Sequence, residues 1–274
     1  MIKPDKLNFL TAGIPMISKD YSNAFCDLES LNLDGLEVEF VHGVRYSPKT
    51  REAILARENK IITHHGPYYI NLNAKEQDKI EASIKRVVDT ARAGADLGAY
   101  SITYHAAFYL GAESKEVTKT MIERHRTIIE ILQNENIDIW IRPETTGKKS
   151  QWGTLDEIIE LSKNFSQVLP CIDFAHMHAR ENGIYNTYDE FCTILEKVGS
   201  ELGEIALNNF HAHVAGIEYG LKGEKKHLIF EESDFNYKDL LKAFKKFDVK
   251  GALVCESPNI EVDTKILKDY YMSL

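Results

Sequence analysis

The chain has 274 residues, 43% of them apolar and 27% charged, with a net charge of −9 and an isoelectric point near 5.6. This length suits one α/β barrel, which takes about 250 residues, and the apolar share builds a core without a stapling metal or disulfide. The acidic balance excludes a protein that holds nucleic acid by bulk charge, so any DNA contact must come from local basic patches.

The four cysteines (Cys26, Cys171, Cys192 and Cys255) are scattered without a C-x-x-C pair, which predicts free thiols, two of them buried in strands, in a reducing compartment. The opening "MIKPDKLNFLTAG" lacks the apolar run of a signal peptide, and no segment approaches the length of a membrane span. A cytoplasmic protein with no membrane partner is expected.

In chain order, short apolar runs alternate with amphipathic segments. "LNFLTA" (7–12), "GLEVEFV" (35–41) and "KIITHH" (60–65) read as strands. "KEQDKIEASIKRVVDTARAGADLGA" then places Ile80, Ile84, Val87, Val88 and Ala91 at helical spacing. A strand "YSITYHA" (100–106) leads to the helix "SKEVTKTMIERHRTIIEILQNEN", with a stop signal at Asn134 to Asn136. "IDIWIRPE" (137–144), the helix "TLDEIIELSKNF" and "VLPCIDF" (168–174) follow. "NNFHAHV" (208–214), the helix "NYKDLLKAFKKF" and "GALVCES" (251–257) complete the series.

Apolar strands without clean alternation, each followed by a helix, predict a parallel sheet covered by crossover helices. Eight such units favour an α/β fold closed as a single (β/α)8 TIM barrel, one domain over 1–274. An open doubly wound sheet is the alternative. It calls for a glycine-rich phosphate turn, and "LTAGIPM" (10–16) has one glycine, so no nucleotide cofactor is expected.

Polar residues collect where these strands end. His64 and His65 end the third, His105 the fourth, Glu144 the fifth, Asp173 and His176 the sixth, His211 and His213 the seventh, and Glu256 the eighth. Glu224 and His227 lie in the loop expected after the seventh. A barrel gathers all of its strand exits on one face, where active sites are built. Of the ten histidines, only His125 is expected clearly within a helix. His42, His125 and His178 read as ordinary packing or loop residues. His64 and His211 are expected to face away from the site, because side chains alternate along a strand.

Imidazole with carboxylate and no thiolate motif suits Zn²⁺, with Mn²⁺ or Fe²⁺ as alternatives. Nine candidate ligands exceed what one ion takes, so two or three metals are expected, bridged by a carboxylate such as Glu144. Such a cluster suits hydrolysis of phosphate esters, and no side-chain nucleophile motif points elsewhere.

"HHGPYYINL" (64–72), "YHAAFYLG" (104–111), "RPETTGKKSQWGTL" (142–155), "CIDFAHMHA" (171–179), "HAHVAG" (211–216) and "LVCESPN" (253–259) occur in the order of a known family. In these blocks the chain resembles the endonuclease IV family, zinc-dependent enzymes that cut DNA at abasic sites on a xylose-isomerase-like TIM barrel. The resemblance implies a first zinc on His65, His105 and Glu144. Glu144 would bridge to a second zinc on Asp173, His213 and Glu256, and would be the catalytic carboxylate. A third would rest on His176, Glu224 and His227, although "GEKKH" separates the last pair by one residue more than the family's Asp-x-His.

The resemblance further implies cleavage 5′ to an abasic site by a zinc-bridging hydroxide. It assigns Arg45, Tyr46 and Tyr68 to contact with double-stranded DNA, and a monomer is expected. Lys148, Lys149, Lys222, Lys225 and Lys226 are candidate phosphate contacts near the same rim. The rival reading is a sugar isomerase or epimerase on the same barrel, using one divalent metal on Glu144, Asp173, His213 and Glu256. A third is a barrel that binds DNA or metal without turnover.

Overall fold

The computed structural model describes residues 3–274. Strand β1 (Leu7–Ala12), helix α1 (Tyr21–Ser30) and strand β2 (Gly35–Glu39) open the chain. Then come α2 (Pro48–Leu55), β3 (Ile61–His65), α3 (Gln77–Leu97) and β4 (Ser101–Tyr104). A short β5 (Ala107–Phe108) precedes α4 (Ser114–Asn134) and β6 (Trp140–Pro143). β7 (Gln151–Trp152) pairs antiparallel with β5 and leads into α5 (Leu155–Ser162). β8 (Ile172–Asp173) runs directly into α6 (Phe174–Arg180), followed by α7 (Tyr188–Leu202), α8 (Glu204–Leu207) and β9 (Phe210–Val214). An antiparallel hairpin of β10 (Gly216–Gly220) and β11 (Gly223–Leu228) precedes α9 (Tyr237–Lys246), β12 (Gly251–Cys255) and α10 (Glu261–Ser273).

Eight parallel strands lie in the order β6-β4-β3-β2-β1-β12-β9-β8, which is the expected (β/α)8 barrel. Closure falls between β6 and the chain leading into β8. There Ile141 N donates to Gln167 O at 3.0 Å, Leu169 N to Ile141 O at 3.2 Å and Cys171 N to Pro143 O at 3.0 Å. Pro170 has no N–H to give, so the strand expected over 168–174 shrinks to its last regular pair, Ile172 and Asp173.

The amphipathic segments become the outer helices. α3 buries Ile80, Val87, Val88 and Ala91 against the barrel and stops at Gly98, whose φ of 67° only glycine adopts freely. α5 and α7 start at capping boxes, Thr154 with Glu157 and Thr187 with Glu190. No helix among the described residues is long and apolar enough to cross a membrane. Cys171, Cys192 and Cys255 are buried and Cys26 is exposed, all as free thiols, with Cys192 on a helix.

Inside the barrel, side chains two residues apart stack in layers. The chain through β9 shows this well. At the bottom, Asn209 accepts from the buried Arg142, whose Nη2 lies 2.7 Å from the Asn209 carbonyl. His211 sits in the middle, beside Ser101 at 2.9 Å. His213 is at the top, near Glu256 and Glu144. His211 and His213 therefore share the inward face, which corrects the expectation that alternation separates them. Alternation does separate neighbours: His64 points outward and packs edge-on to Phe40, with ring centroids 5.1 Å apart, while His65 points inward.

Candidate metal centre

Glu144 is fully buried at the exit of β6 and is the hub of the site. Its Oε2 lies 3.1 Å from His65 Nε2, and its Oε1 lies 3.1 Å from His105 Nε2. His65 Nδ1 is 2.7 Å from the Gly66 carbonyl, to which it donates, so Nε2 is the nitrogen left for the site. Glu144 also joins Asp173, His213 and Glu256 in a second set of donors, all within 4.8 Å of one another.

Asp173 divides its two oxygens between structure and site. Oδ1 caps α6 by accepting from His176 N at 2.6 Å, while the buried Oδ2 has no hydrogen-bond partner. The cap places His176 one turn into α6, where its Nδ1 donates to the Thr145 carbonyl at 3.0 Å. His176 Nε2 then faces His227 Nε2 at 3.4 Å and Glu224 Oε2 at 3.6 Å. His176 and His178 are thus helical residues, in contrast to the expectation that His125 alone lies in a helix. His176 remains at the strand exit because α6 begins directly after β8.

The Glu224–His227 segment, expected as a loop, is the strand β11. Residues three apart on a strand face opposite sides, which would separate this pair. The hairpin register shifts between Glu218 and Tyr219: Lys226 opposes Glu218, Glu224 opposes Tyr219, and Lys225 is the extra residue of a β-bulge. The bulge inverts the alternation, and both side chains reach His176. Gly223, at φ 95°, lets the hairpin dock on the 144–153 loop, where Glu224 N donates to Gly147 O at 2.9 Å.

A pocket of about 280 Å³ opens over these groups, lined by His65, Tyr68, His105, His176, Glu224, His227 and Glu256. Burial opposes the charged form of each group, and the neighbours decide the outcome. Burial works against protonated His65, but Glu144, Glu39 and Glu37 outweigh it and hold its pKa up at about 10. Burial likewise opposes protonated His176 and His213, but Asp173, Glu144 and Glu224 raise the first, and Cys171, Glu256, Glu37 and Glu144 raise the second. Burial, with Glu144, Asp173 and Glu39 nearby, pushes Glu256 up to about 8 despite His213. Glu144 is driven well down, because His105, His213 and His176 overcome its desolvation. Buried imidazole and carboxylate atoms that face one another, several without hydrogen bonds, form a donor set fitted to divalent cations.

The residues assigned to DNA contact separate. Tyr68 projects at the pocket rim, 60% exposed, with its ring 6.0 Å from that of His65. Arg45 is exposed on the loop after β2. Tyr46 departs from its assignment: its hydroxyl donates to Asp96 at 2.8 Å, in the last turn of α3, and that end of α3 leads into the start of β4. Its ring lies 6.4 Å from that of Phe40, on the outer side of the barrel. Lys148, Lys222 and Lys225 border a groove of about 620 Å³ beside the hairpin, and Glu218 takes up Lys225 at 3.0 Å.

Two further inward carboxylates, Glu37 and Glu39, lie on β2 outside the expected ligand set. Their signal was present in "GLEVEF", two glutamates two apart in an otherwise apolar strand, which places both on one face. Glu37, Glu39 and Glu256 bring donor oxygens within 4.8 Å of one another.

The chain belongs to the xylose isomerase-like TIM-barrel family, whose model matches residues 25–270. It is 43% identical to an uncharacterised protein of Methanocaldococcus jannaschii, over 98% of both chains. It is 28% identical to the probable endonuclease 4 of Bacillus subtilis, over 54% of this chain and 50% of that protein. Among solved structures, a D-tagatose 3-epimerase-like protein superposes with a TM-score of 0.72 at 18% identity, covering 96% of this chain and 97% of its own. The endonuclease IV of Thermus thermophilus superposes with a TM-score of 0.70 at 14% identity, covering 98% and 100%. Such likeness shows the fold alone; the chemistry rests on the site.

Proposed function

We propose that this barrel is a multi-metal phosphodiester hydrolase that cuts DNA at abasic sites. The observation that carries the reading is the donor arrangement: His65, His105 and Glu144; Glu144, Asp173, His213 and Glu256; and Asp173, His176 and His227 bring donor atoms together in groups linked through Glu144 and Asp173, in place of a single four-ligand set. His65, His105 and Glu144 would hold one cation, Glu144, Asp173, His213 and Glu256 a second, and His176, Glu224 and His227 a third. Bound divalent metals supply Lewis-acid activation of water and neutralise charge on phosphoryl oxygens. The chain's own residues hold and screen that centre. Glu144 spans two donor groups with its two oxygens, the bulged hairpin walls the pocket with Glu224 and His227, and Tyr68 guards the rim. The groove edged by Lys148 and Lys222 offers cations to a phosphate backbone on an otherwise acidic protein. A pocket of about 280 Å³ suits a sugar phosphate that lacks its base better than an intact nucleotide pair, and extruding an unpaired abasic nucleotide costs less. The kinship with the probable endonuclease 4 of Bacillus subtilis supports an endonuclease activity.

The test is metal per chain after chelator washing, followed by incision of a duplex with one abasic site. Two or three tightly held zincs and a cut 5′ to the lesion that leaves a 3′-hydroxyl are expected. One exchangeable ion with no incision overturns the reading. It would favour the second reading, supported by the Glu144, Asp173, His213 and Glu256 set taken alone: a one-metal sugar epimerase, tested by turnover of ketoses.

A further inference from the structure

Glu37 is fully buried beneath the pocket and belongs to none of the three donor groups proposed above. We propose that Glu37 is a positioning residue that fixes which nitrogen of His213 faces the metal centre, an inference that rests on the metal-holding reading. Its Oε2 accepts the Thr63 hydroxyl at 2.7 Å and lies 3.2 Å from His211 Nε2. Its Oε1 lies 2.9 Å from His213 Nε2. The other nitrogen, His213 Nδ1, is 3.4 Å from Glu256 Oε1 and 3.5 Å from Glu144 Oε1, among the donors. Neither Glu37 Oε1 nor His213 Nε2 completes a hydrogen bond, so the carboxylate acts through its charge, which favours the ring proton on Nε2 and leaves the Nδ1 lone pair for a cation.

The layering of β9 makes this support rigid. His211, two residues before His213, lies below on the same face, with its Nδ1 2.9 Å from the Ser101 hydroxyl. Glu37 is held between Thr63 and His211 and meets His213 from underneath. Two competing arrangements are present: Cys171, His211 and His213 bring donor atoms within 4.8 Å of one another, and so do Glu37, Glu39 and Glu256. A cation at the first would carry a Cys171 thiolate ligand, and one at the second would take Glu37 itself as a ligand, so the ligands separate both from the arrangement proposed here.

The experiment is ¹H–¹⁵N correlation of the histidine rings in the full chain, metal-free and zinc-loaded, with the His213 signals identified by their loss in His213→Gln. Expected are a protonated Nε2 and a metal-bound Nδ1. In Glu37→Gln, zinc affinity measured by chelator competition is expected to fall roughly 10–100-fold, with part regained in Glu37→Asp, which keeps the charge. A metal-bound Nε2 overturns the proposal, as does an affinity for Glu37→Gln within about twofold of the parent. A thiolate-to-cobalt absorption band in the Co²⁺-loaded protein, lost in Cys171→Ser, also overturns it. If Glu37→Gln does not fold, the parent spectra decide alone. If the parent holds no divalent metal tightly, the proposed function fails, while the tautomer of metal-free His213, read at alkaline pH where the ring has lost its second proton, still tests Glu37.

Discussion

His64 and His65 are adjacent, both buried, and electrostatically opposite. His64 lies on the outer face of β3 against Phe40, and burial drives its pKa down to about 3. His65 lies on the inner face, where Glu144, Glu39 and Glu37 hold it up at about 10. The two faces of one strand thus meet two environments: a packed layer between sheet and helices, and a barrel mouth crowded with carboxylates. His125 repeats the outer pattern, donating to Met121 O at 2.7 Å and accepting from Tyr104 at 2.6 Å, with its pKa depressed to about 4 by burial. Burial makes neither kind of histidine functional. What matters is which charged groups share its face.

The largest effect is expected at the hub. Glu144→Gln removes a donor from two groups at once and is expected to cost on the order of 10³-fold in metal affinity, since outer-shell changes alone cost roughly 10–100-fold. A loss below tenfold, read by chelator competition, would show that Glu144 is not the shared ligand. His65→Ala is expected to lower metal content, whereas His64→Leu leaves it unchanged. Equal metal loss in both variants would erase the distinction between the two faces. Glu224→Ala with His227→Ala is expected to remove one metal per chain and spare the Glu144-centred ions, as counted by elemental analysis.

A pH series separates the faces by sign. His65 has its pKa raised from 6.5 to about 10, so its contribution to the metal-free fold is complete below pH 6.5 and is lost as pH rises through about 10. Glu256, raised from 4.5 to about 8, adds a loss in the same direction between those values. Chelator-treated protein should therefore melt at falling temperature as pH rises across this window, while metal affinity rises because cations displace the same protons. Parallel trends would contradict the charge arrangement. The smallest effects belong to the outer layer. Tyr104→Phe should cost about 1 kcal/mol by leaving His125 Nε2 unpaired, with metal content unchanged. His64→Leu should lie within about 1 kcal/mol of the parent in denaturant unfolding, because both of its buried nitrogens already lack partners.

The sequence carried the barrel itself. Apolar strand runs separated by helical segments gave the eight parallel strands, and the stop signal at Asn134 to Asn136 marked the end of α4 where local chemistry dictates it. It also named the polar strand exits, because carboxylate and imidazole after an apolar run have no packing reason to be there. Three features were legible only in part. The β2 glutamates were written as an i, i+2 pair, but a carboxylate inside an apolar strand has no local partner to explain it. The irregular strand at Pro170 required knowing that β6 lies beside it. Tyr46 took its DNA assignment from its neighbour in sequence, and long-range packing against Asp96 set its direction instead.

By itself, then, the sequence determined which residues could carry metal chemistry and on which strands, because apolar periodicity and polar punctuation are local properties of the chain. Only the tertiary structure decided which of them meet. The bulge at Lys225 turns Glu224 and His227 to one side, the Asp173 cap aims His176, and β9 lies beside β12 and β8, so that His213 reaches Glu256 and Glu144. These outcomes depend on strand register and on contacts between residues dozens of positions apart, and no local pattern encodes them.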